Sequence, residues 1–478
     1  MGGLPKKAHL LETLANEHRE PLLKLDAGSL LFNQELLAPN KLDQAKITAE
    51  GIAEAYKLMG YQAVGISRFD LAAGLPFLEE LRQRFQLNWL SANLVDSKTR
   101  KPRFQDRVFL TVGSLKVAVL GITETDANKS LAAADNTTVL PWQDVLPALV
   151  ADTVQKADLV ILLSSCTKHE NYEIANTLPG VHLIIQSAKR GSGPVPELKG
   201  NTLIAQTGKK GKYQGVMNIH WHPSHKWQIS SATSLANERK NLERMLGQIN
   251  QLENKQKTED YLDANEGAKR VHDALLDQLP MVREQIATLE LQVEKEKKEG
   301  AAASVYTSDE TALEITMPDQ PEVLKIVEEI KKKINLLANK ARRQTAATTP
   351  YVGWQTCAKC HAPQAASWQK TAHSKAMQSL IQKNQQGNQE CIPCHVTGVL
   401  TGNEPFIHSL PGNLQQVGCE TCHGPGEMHA ATPGQWPLTA KVKENICQRC
   451  HTPEQDEHFD YAAKVRLIKC APGKVAKK

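Results

Sequence analysis

Residues 418–426 read GCETCHGPG, and this stretch decides how the last quarter of the 478-residue chain is interpreted. It contains one of four copies of a motif in which two cysteines, separated by two residues, are followed directly by a histidine. Eight of the ten cysteines belong to these copies, so the pattern predicts four equivalent binding sites. The motif residues are Cys357, Cys360 and His361; Cys391, Cys394 and His395; Cys419, Cys422 and His423; and Cys447, Cys450 and His451.

The spacing within the motif favours covalent attachment of haem c. A two-residue gap lets two thiols reach the two vinyl groups of one porphyrin, and the histidine that follows can bind the iron. Structural zinc sites also use a two-residue gap, but zinc gives no reason for a histidine after every second cysteine. Disulfides within the pairs would be redox-type bridges, which need a thioredoxin-like context. We therefore expect four covalently bound haems, one in each motif.

Each iron has a second axial position, and four further histidines of the same region are candidates for it: His373, His408, His429 and His458. Eight histidines for four irons permit bis-histidine coordination, which suits low-potential electron transfer. An iron that lacks its sixth ligand would instead bind a small molecule. The sequence therefore favours an electron carrier or an oxidoreductase over a hydrolase, with redox proteins as partners.

Charge and hydropathy exclude other classes of function. The formal net charge of +5 is modest, and the lysines are scattered among acidic residues, so nucleic acid is not an expected partner. No apolar run approaches the roughly 18 residues that a membrane span needs. Residues 349–478 are loop-rich and aperiodic, and such a segment is not expected to fold by apolar burial alone. We assign them to a multihaem cytochrome c domain whose core is completed by haem.

Residues 1–230 have the pattern of an α/β domain. Amphipathic segments such as ITAEGIAEAYKLMG and GLPFLEELRQRFQ predict helices between short apolar runs. The runs have the length and composition of buried strands. They are PLLKLDAG, QAVGIS, LNWLSANL, LKVAVLGIT, ADLVILLSS and VHLIIQSA.

Residues 231–348 form a predicted helical arm. Its first part is rich in Glu, Lys and Gln, with apolar residues every three or four positions, which is typical of a helix pair or a coiled coil. The stretch ALEITMP is expected to form a strand, and a second helix is expected to begin with Asp319 as its N-cap. We interpret the arm as a spacer or an oligomerisation element, so a homo-oligomer is a candidate state. The apolar positions are Leu242, Met245, Leu246, Ile249 and Leu252.

The cysteine-rich region resembles the tetrahaem cytochromes of the cytochrome c-554 family. The resemblance covers about residues 351–460 and rests on the segments TAHSKA, CHVTG and CETCHGPG. It implies haems packed in close pairs, and electron shuttling between redox enzymes in the periplasm. It also implies that His373 and His429 are distal iron ligands.

The first region resembles the metallophosphoesterase domain of the 5′-nucleotidases. The resemblance covers about residues 2–224 and includes LLKLDAGSLLF, YKLMGYQAVGISRFD, LVILLSSCTKHEN and VHLIIQSAKR. It implies a four-layer sandwich, and hence a chain of three parts: a metallophosphoesterase-like α/β domain, a coiled-coil arm and a loop-rich cytochrome domain.

Residues that hold the two metals in that family are replaced in this chain. Ser29 stands for an aspartate, Arg68 and Phe69 stand for the Asn and His of the GNHE motif, and Ser165 stands for a histidine. Ala188 and Arg190 stand for the two histidines of GGHSH. Two-metal hydrolysis needs such ligands, so the domain is expected to be inactive. The alternative is a metal-dependent 5′-nucleotidase or phosphoesterase with an electron-transfer tail.

Cys166 follows Ser165 at the predicted end of a strand, where α/β sheets often carry function. One interpretation is a catalytic redox thiol whose pKa is lowered by Arg68 or His169. The other is a buried free thiol with no chemical role. The carboxylates Asp26 and Asp70 are expected to be structural.

The predicted chemistry also bears on localisation. The first residues, MGGLPKKAHL, have no apolar stretch of signal-peptide type. Haem is attached to c-type cytochromes outside the cytoplasm, so we expect a periplasmic or extracellular protein with an export signal upstream of Met1.

Overall fold

The computed structural model contains two compact units. The first comprises Met1–Leu36 and Ile52–Val323, and the second comprises Leu37–Gly51 and Leu324–Lys478. The division into domains 1–230, 231–348 and 349–478 stays a prediction. The structure describes residues 3–17, 22–187, 195–208, 211–222, 224, 226–299, 303–342, 349–399, 411–433, 435–453, 455–456 and 459–468.

Helices and strands alternate in the first part of the chain, and short helices dominate the last part. The strands are β1 (Leu25–Asp26), β2 (Ala63–Gly65), β3 (Trp89–Leu90), β4 (Leu94–Asp96), β5 (Arg107–Val112), β6 (Leu115–Ile122), β7 (Thr137–Val139), β8 (Leu159–Ser164), β9 (Leu183–Gln186), β10 (Glu197–Lys199), β11 (Thr202–Ala205), β12 (Tyr213–His220) and β13 (Val305–Ala312). The α-helices are α1 (Leu4–Glu17), α2 (Pro39–Met59), α3 (Leu75–Phe85), α4 (Leu146–Thr153), α5 (Lys168–Thr177), α6 (Ser231–Glu259), α7 (Tyr261–Ala264), α8 (Glu266–Glu299), α9 (Pro321–Arg342), α10 (Trp354–Ala358), α11 (Ala362–Trp368), α12 (Ala376–Gln382), α13 (Ile392–His395), α14 (Cys419–His423), α15 (Glu427–Ala431), α16 (Glu444–Cys447) and α17 (Tyr461–Ile468).

The first unit is built on a six-stranded mixed sheet with the order β10-β11-β9-β8-β6-β5. The inner strands run parallel, and β5 and β10 pair antiparallel at the two edges. A second sheet of three parallel strands has the order β1-β2-β3. Each of the six apolar runs in the sequence contains one of these strands, and the predicted α/β class is confirmed.

The central strands are buried on both faces of the large sheet. Leu120 of β6 and Leu162 of β8 belong to one apolar cluster, whereas Val119 and Ile161 belong to another. Neighbouring residues of a strand point to opposite faces, so a strand covered on both sides needs apolar residues at every position. This requirement explains the uninterrupted runs LKVAVLGIT and ADLVILLSS.

The two sheets approach each other closely where β3 passes β6. A Cβ atom at Gly121 would lie 2.3 Å from the carbonyl oxygen of Leu90, so this position accepts no side chain. Hydrogen bonds from Thr123 and Ser165 to the carbonyl oxygen of Ile66, at 2.9 and 3.0 Å, join the ends of both sheets. The carboxyl ends of β2, β6 and β8 therefore meet at one edge.

The predicted arm contains an antiparallel helical hairpin. The start of α6 contacts the end of α8, because the Ser231 amide donates to Glu296 at 3.0 Å and Arg239 pairs with Glu290 at 2.6 Å. The less exposed positions of α8 are spaced alternately by three and four residues, which is the spacing of a coiled coil. They are residues 268, 272, 275, 279, 282, 286, 289, 293 and 296.

Two local predictions for the arm were wrong. The strand is β13, which ends at Ala312 and pairs antiparallel with β12 over residues 305–312, so it does not extend through ALEITMP. The N-cap of α9 is Gln320, whose side-chain oxygen accepts the Val323 amide at 2.7 Å. Asp319 instead forms an ion pair with Lys6 at 3.0 Å. Asp319 and Gln320 both carry an oxygen that could cap the helix. The carboxylate of Asp319 is bound by Lys6, and Gln320 provides the cap.

The second unit has a small apolar core among the residues that the structure describes. The segment 37–51 is attached by Gln44, whose side chain donates to Asn388 and accepts from the Gln389 amide, both at 2.9 Å. Most of its other elements are helices of four to eight residues, which are not stable alone. The clustered buried residues are Met377, Leu380, Ile392, Val396, Val399 and Leu414.

Candidate haem-binding site

The motif residues form single helical turns. The amide of His361 donates to the carbonyl of Cys357, and the amide of His451 donates to the carbonyl of Cys447, both at 2.9 Å. Positions i, i+3 and i+4 of a helical turn lie on one face. Both thiols and the imidazole of these motifs are therefore presented together, as attachment to one porphyrin requires.

Thiols of different motifs lie next to one another. Cys357 is hydrogen-bonded to Cys419, which lowers the pKa of Cys357. Cys394 is hydrogen-bonded to Cys450, which lowers the pKa of Cys394 to about 7 and raises that of Cys450. These contacts bring the first motif to the third and the second to the fourth. Thioethers formed with haem would not titrate, so the shifts belong to the free thiols.

Two pairs of imidazoles face each other across a gap. The ring centroids of His361 and His429 are 6.1 Å apart with an interplanar angle of 23°. Those of His373 and His451 are 6.2 Å apart with an angle of 59°. A metal–imidazole bond is about 2.0 Å long, so two imidazoles on opposite sides of one metal have centroids roughly 6 Å apart. The spacing of both pairs fits an iron between the rings.

The orientation of the rings also fits iron coordination. Nδ1 of His395, His423 and His429 lies 2.8, 2.6 and 2.9 Å from the carbonyl oxygens of residues 376, 439 and 436, respectively. A carbonyl oxygen only accepts, so Nδ1 of each ring carries the proton and Nε2 keeps its lone pair for a metal.

His451 has a different partner. Its Nδ1 lies 2.9 Å from Oδ2 of Asp456, and its ring stacks on Phe459 with centroids 4.7 Å apart. A carboxylate acceptor raises the basicity of a ligating histidine more than a neutral carbonyl does. The sequence analysis did not identify Asp456, because an acidic residue five positions after a motif carries no signal of its own.

His373 is half-buried, and burial together with the neighbouring His451 lowers its pKa. A neutral imidazole is the form that binds iron. The other two distal candidates, His408 and His458, lie outside the described residues. Partners opposite His395 and His423 are therefore not assigned by this geometry.

The edge of the first unit holds a guanidinium among carboxylates. Arg68 pairs with Glu35 and Asp126, each at 3.2 Å, and with Glu124 at 3.8 Å. Glu124 also accepts a hydrogen bond from the Ser165 hydroxyl, and burial raises the pKa of Glu124 to about 7. At this edge the positive charge beside the carboxylates is therefore supplied by the Arg68 side chain. Ala188 and Arg190 lie outside the described residues.

Asp70 and Asp26 are engaged in structural contacts. Asp70 is fully buried and accepts the amides of Ser29, Leu30 and Leu31 at 2.8 to 3.0 Å, and burial raises its pKa. Asp26 accepts the Tyr56 hydroxyl at 2.8 Å. Carboxylates held in this way fix the loop after β1.

Cys166 lies inside the apolar core of the first unit. Its side chain is 3% exposed, and burial raises its pKa. Of the two activating residues considered, His169 is 83% exposed and pairs with Glu173, and Arg68 pairs with the carboxylates described above. These contacts favour the buried free thiol, and the catalytic role stays a prediction.

Within the described ranges, no group of three or more His, Cys, Asp or Glu side chains is arranged to hold a metal ion. An iron in a porphyrin needs only two protein ligands. None of the helices in these ranges is both long enough and apolar enough to span a membrane.

Comparisons with known proteins match the last part of the chain to a cytochrome family. The family model described as "Cytochrome c554 and c-prime" matches residues 356–424. Cytochrome c-554 of Nitrosomonas europaea is 38% identical over 91 residues, which is 16% of this chain and 39% of that protein. The chain thus spans about two fifths of this relative. A cytochrome c554-type domain lies in the carboxy-terminal part, as the sequence predicted.

Solved structures that resemble the chain include phosphoesterases. A sulfate thiohydrolase, SoxB, from Thermus thermophilus is 21% identical, with a TM-score of 0.40 over 46% of this chain and 39% of that one. A 5′-nucleotidase precursor from the same organism is 20% identical, with a TM-score of 0.39 over 47% and 46%. The calcineurin-like phosphoesterase YfkN of Bacillus subtilis is 17% identical, with a TM-score of 0.35 over 45% and 75%. The amino-terminal part resembles this fold.

Proposed function

We propose that the protein is an exported electron-transfer cytochrome that carries four covalent haems c in its carboxy-terminal part. The observation that carries the proposal is that two pairs of imidazoles face each other at the spacing that one iron requires. The pairs are His361 with His429 and His373 with His451. Each pair joins a motif histidine to a histidine outside the motifs. Packing of the polypeptide alone gives no reason for two gaps of this width between facing imidazole rings.

The residues divide into three tasks. The motif cysteines would hold each porphyrin through thioether bonds, and the histidines of the motifs would bind the irons. His429 and His373 would hold the first and fourth irons together with His361 and His451, and His408 and His458 are the candidates for the second and third. Bound haem supplies one-electron chemistry between ferric and ferrous iron.

Pairing of the motifs supports transfer between haems. The thiols of the first and third motifs are neighbours, and so are those of the second and fourth. Cysteines this close would hold their porphyrins near each other, which would suit electron transfer within each pair of motifs.

The small core of the second unit supports the same conclusion. Burying one large apolar side chain contributes about 1.5–3 kcal/mol, whereas ordering the backbone of one residue costs about 1–2 kcal/mol. A cluster of six buried side chains is therefore small for the segment that it has to hold. Four porphyrins would supply the missing apolar contact area.

We place the protein in the periplasm or outside the cell, with redox proteins as electron donor and acceptor. Thioether attachment of haem takes place outside the cytoplasm, so the proposal requires export. A homo-oligomer formed through the α6–α8 hairpin stays a prediction that light scattering of the holoprotein would test.

The alternative, a metal-dependent 5′-nucleotidase or phosphoesterase, is disfavoured by Arg68. The Arg68 guanidinium repels a divalent cation. It also pairs with the carboxylates of Glu35 and Asp126, which are then not available to a metal. We therefore expect no phosphate release from nucleotides in the presence of Mn²⁺ or Zn²⁺. Metal-dependent release that is lost with chelator would restore the hydrolase.

The decisive test is haem content. The protein is produced with an export signal and a cytochrome c maturation system, then measured by the pyridine haemochrome assay and intact mass. We expect the added mass of four porphyrins, and of three for the C391A/C394A variant. Colourless protein with bound zinc would overturn the proposal.

A further inference from the structure

Glu420 lies between the two cysteines of the third motif, and its carboxylate is buried. The side chain is 3% exposed. Oε1 accepts the amides of Val352 at 2.9 Å and Gly426 at 2.7 Å, and Oε2 accepts the amide of Gly353 at 2.8 Å. A buried carboxylate is tolerated only when such bonds satisfy it. Bonds to a charged acceptor are also the stronger kind.

The three amides come from segments that are distant in sequence. Val352 and Gly353 directly precede α10, which begins the first motif. Gly426 directly precedes α15, which carries His429. One carboxylate thus ties the third motif to the proximal and the distal side of the first iron site.

The surroundings of the carboxylate show that the contact is close. A Cβ atom at Gly426 would lie 3.0 Å from Oε1 of Glu420 and 3.3 Å from a methyl carbon of Val352. Gly353 has a φ of 83°, which disfavours a side chain at that position as well. Gly426 therefore lies against the carboxylate itself, whereas a Cβ atom at Gly353 would meet the side chain of Asn413.

A short helix needs such an anchor. α15 has five residues, far fewer than an isolated helix needs for stability. Its start is fixed by the bond from Gly426 to Glu420 and by the Ala430 amide, which donates to the Gly426 carbonyl at 2.8 Å. An iron–imidazole bond tolerates only small displacements, so His429 depends on where this helix begins.

We propose that Glu420 is a positioning residue that holds His429 opposite His361 and thereby keeps the first iron six-coordinate. This inference rests on the proposed function, because it assumes haem in the first motif. Glu420 does not contact the iron. It acts through the two backbone segments that its oxygens bind.

The test is the number of haems that bind carbon monoxide in the reduced holoprotein. We expect the E420A variant to keep the wild-type number of covalent haems but to bind one more CO per protein, with one additional high-spin ferric signal in electron paramagnetic resonance. The E427A variant removes an exposed carboxylate seven residues away and should match the wild type in both measurements.

Two further variants keep the test decisive if E420A matures poorly. In E420Q the amide oxygen can still accept from Gly426, but its NH₂ group faces the Gly353 amide, so we expect only a partial gain in CO binding. In H429A the first iron is already open, so adding E420Q should add no further CO. A wild-type spectrum in E420A and E420Q, or a second CO in the H429A double variant, overturns the inference. Absence of haem from the wild type would instead refute the proposed function.

Discussion

The edge of the large sheet and the cysteine-rich region differ in whether their charged and polar side chains find partners within the chain. At the sheet edge, Arg68 lies among Glu35, Glu124 and Asp126, so cation and anions are both supplied by the chain. In the cysteine-rich region, imidazoles face each other about 6 Å apart, and the Nδ1 bonds of His429 and His451 leave Nε2 of these two rings available for a metal. The charges at the sheet edge are balanced within the polypeptide, whereas the facing imidazoles have the spacing for an added metal.

The same contrast holds for packing. The central strands of the first unit are covered by apolar clusters on both faces. The apolar cluster of the second unit contains six buried side chains. Under the proposed function we therefore expect folding of the second unit to depend on its cofactor more strongly than folding of the first unit does.

The largest expected effect is on the second unit when haem is withheld. Protein produced without the maturation system should lose protection of amide hydrogens over residues 354–468, while β6 and β8 stay protected, because only the latter have a complete core. Hydrogen exchange followed by mass spectrometry measures both regions in one sample. The matured protein is the control. Equal protection with and without haem would remove the contrast between the units.

A second prediction tests how the sheet edge is held. Asp70 accepts five hydrogen bonds, from three amides of residues 29–31 and from the amide and hydroxyl of Ser67. Each buried donor left without a partner costs about 1–3 kcal/mol, and relaxation recovers part of this, so D70A should lower the free energy of unfolding of the first unit by about 3–5 kcal/mol. Denaturation of the holoprotein measures the change. Asp144 is exposed, so the D144A control should stay within about 0.5 kcal/mol of the wild type. A change as small as this in D70A would show that the Asp70 carboxylate does not stabilise the first unit.

A third prediction concerns pH. Burial raises the pKa of Glu124 from its ordinary value of 4.5 to about 7. The folded protein therefore holds a proton that the unfolded chain releases, and this contribution to stability is present below about pH 4.5 and is lost as pH rises through about 7. The slope approaches 1.4 kcal/mol per pH unit at most, for a total of about 1–3 kcal/mol.

The variant E124Q tests this because a neutral amide resembles the protonated acid. Unfolding of the first unit, measured from pH 5 to pH 8, should be less pH-dependent in E124Q than in the wild type. The exposed residue Glu80 offers a matched control, since E80Q removes the same charge from the surface of α3. Identical profiles for E124Q and the wild type would show that Arg68 keeps Glu124 ionised throughout.

The attachment motifs and the central strands could be predicted from sequence because their signals are local. A cysteine pair with its histidine spans five residues, and a strand buried on both faces is a continuous apolar run. The pairing of His361 with His429 spans 68 positions and depends on how the chain turns between them, so the sequence alone left it open. The resemblance to tetrahaem cytochromes identified His429 as a distal ligand, but not its partner.

Glu420 and Asp456 were missed for a different reason. Both are acidic residues in positions where the motif places no requirement, and only the fold shows which backbone amides or imidazole they contact. The N-cap of α9 was misplaced by one residue because Asp319 and Gln320 both carry a suitable oxygen. Local patterns of this kind are ambiguous until a long-range contact, here the ion pair with Lys6, selects one of them.

The smallest expected effect compares the four iron sites with one another. Three of the described imidazoles donate to neutral carbonyls, whereas His451 donates to the carboxylate of Asp456. A hydrogen bond to a charged acceptor is stronger than a neutral one by about 1 kcal/mol, and 1.4 kcal/mol corresponds to about 59 mV for one electron. D456N keeps an acceptor oxygen but removes the charge, so ferric iron is less stabilised and the potential of one haem should rise by roughly 40 mV.

Spectroelectrochemical titration resolves this shift if one component of the curve moves and the other three do not. The E444Q variant removes an exposed carboxylate three residues before Cys447, and solvent and salt screen that charge, so its curve should match the wild type within error. An equal shift in both variants would mean that the potential follows the general charge near the fourth motif. A shift in D456N alone assigns the effect to the hydrogen bond between Asp456 and His451.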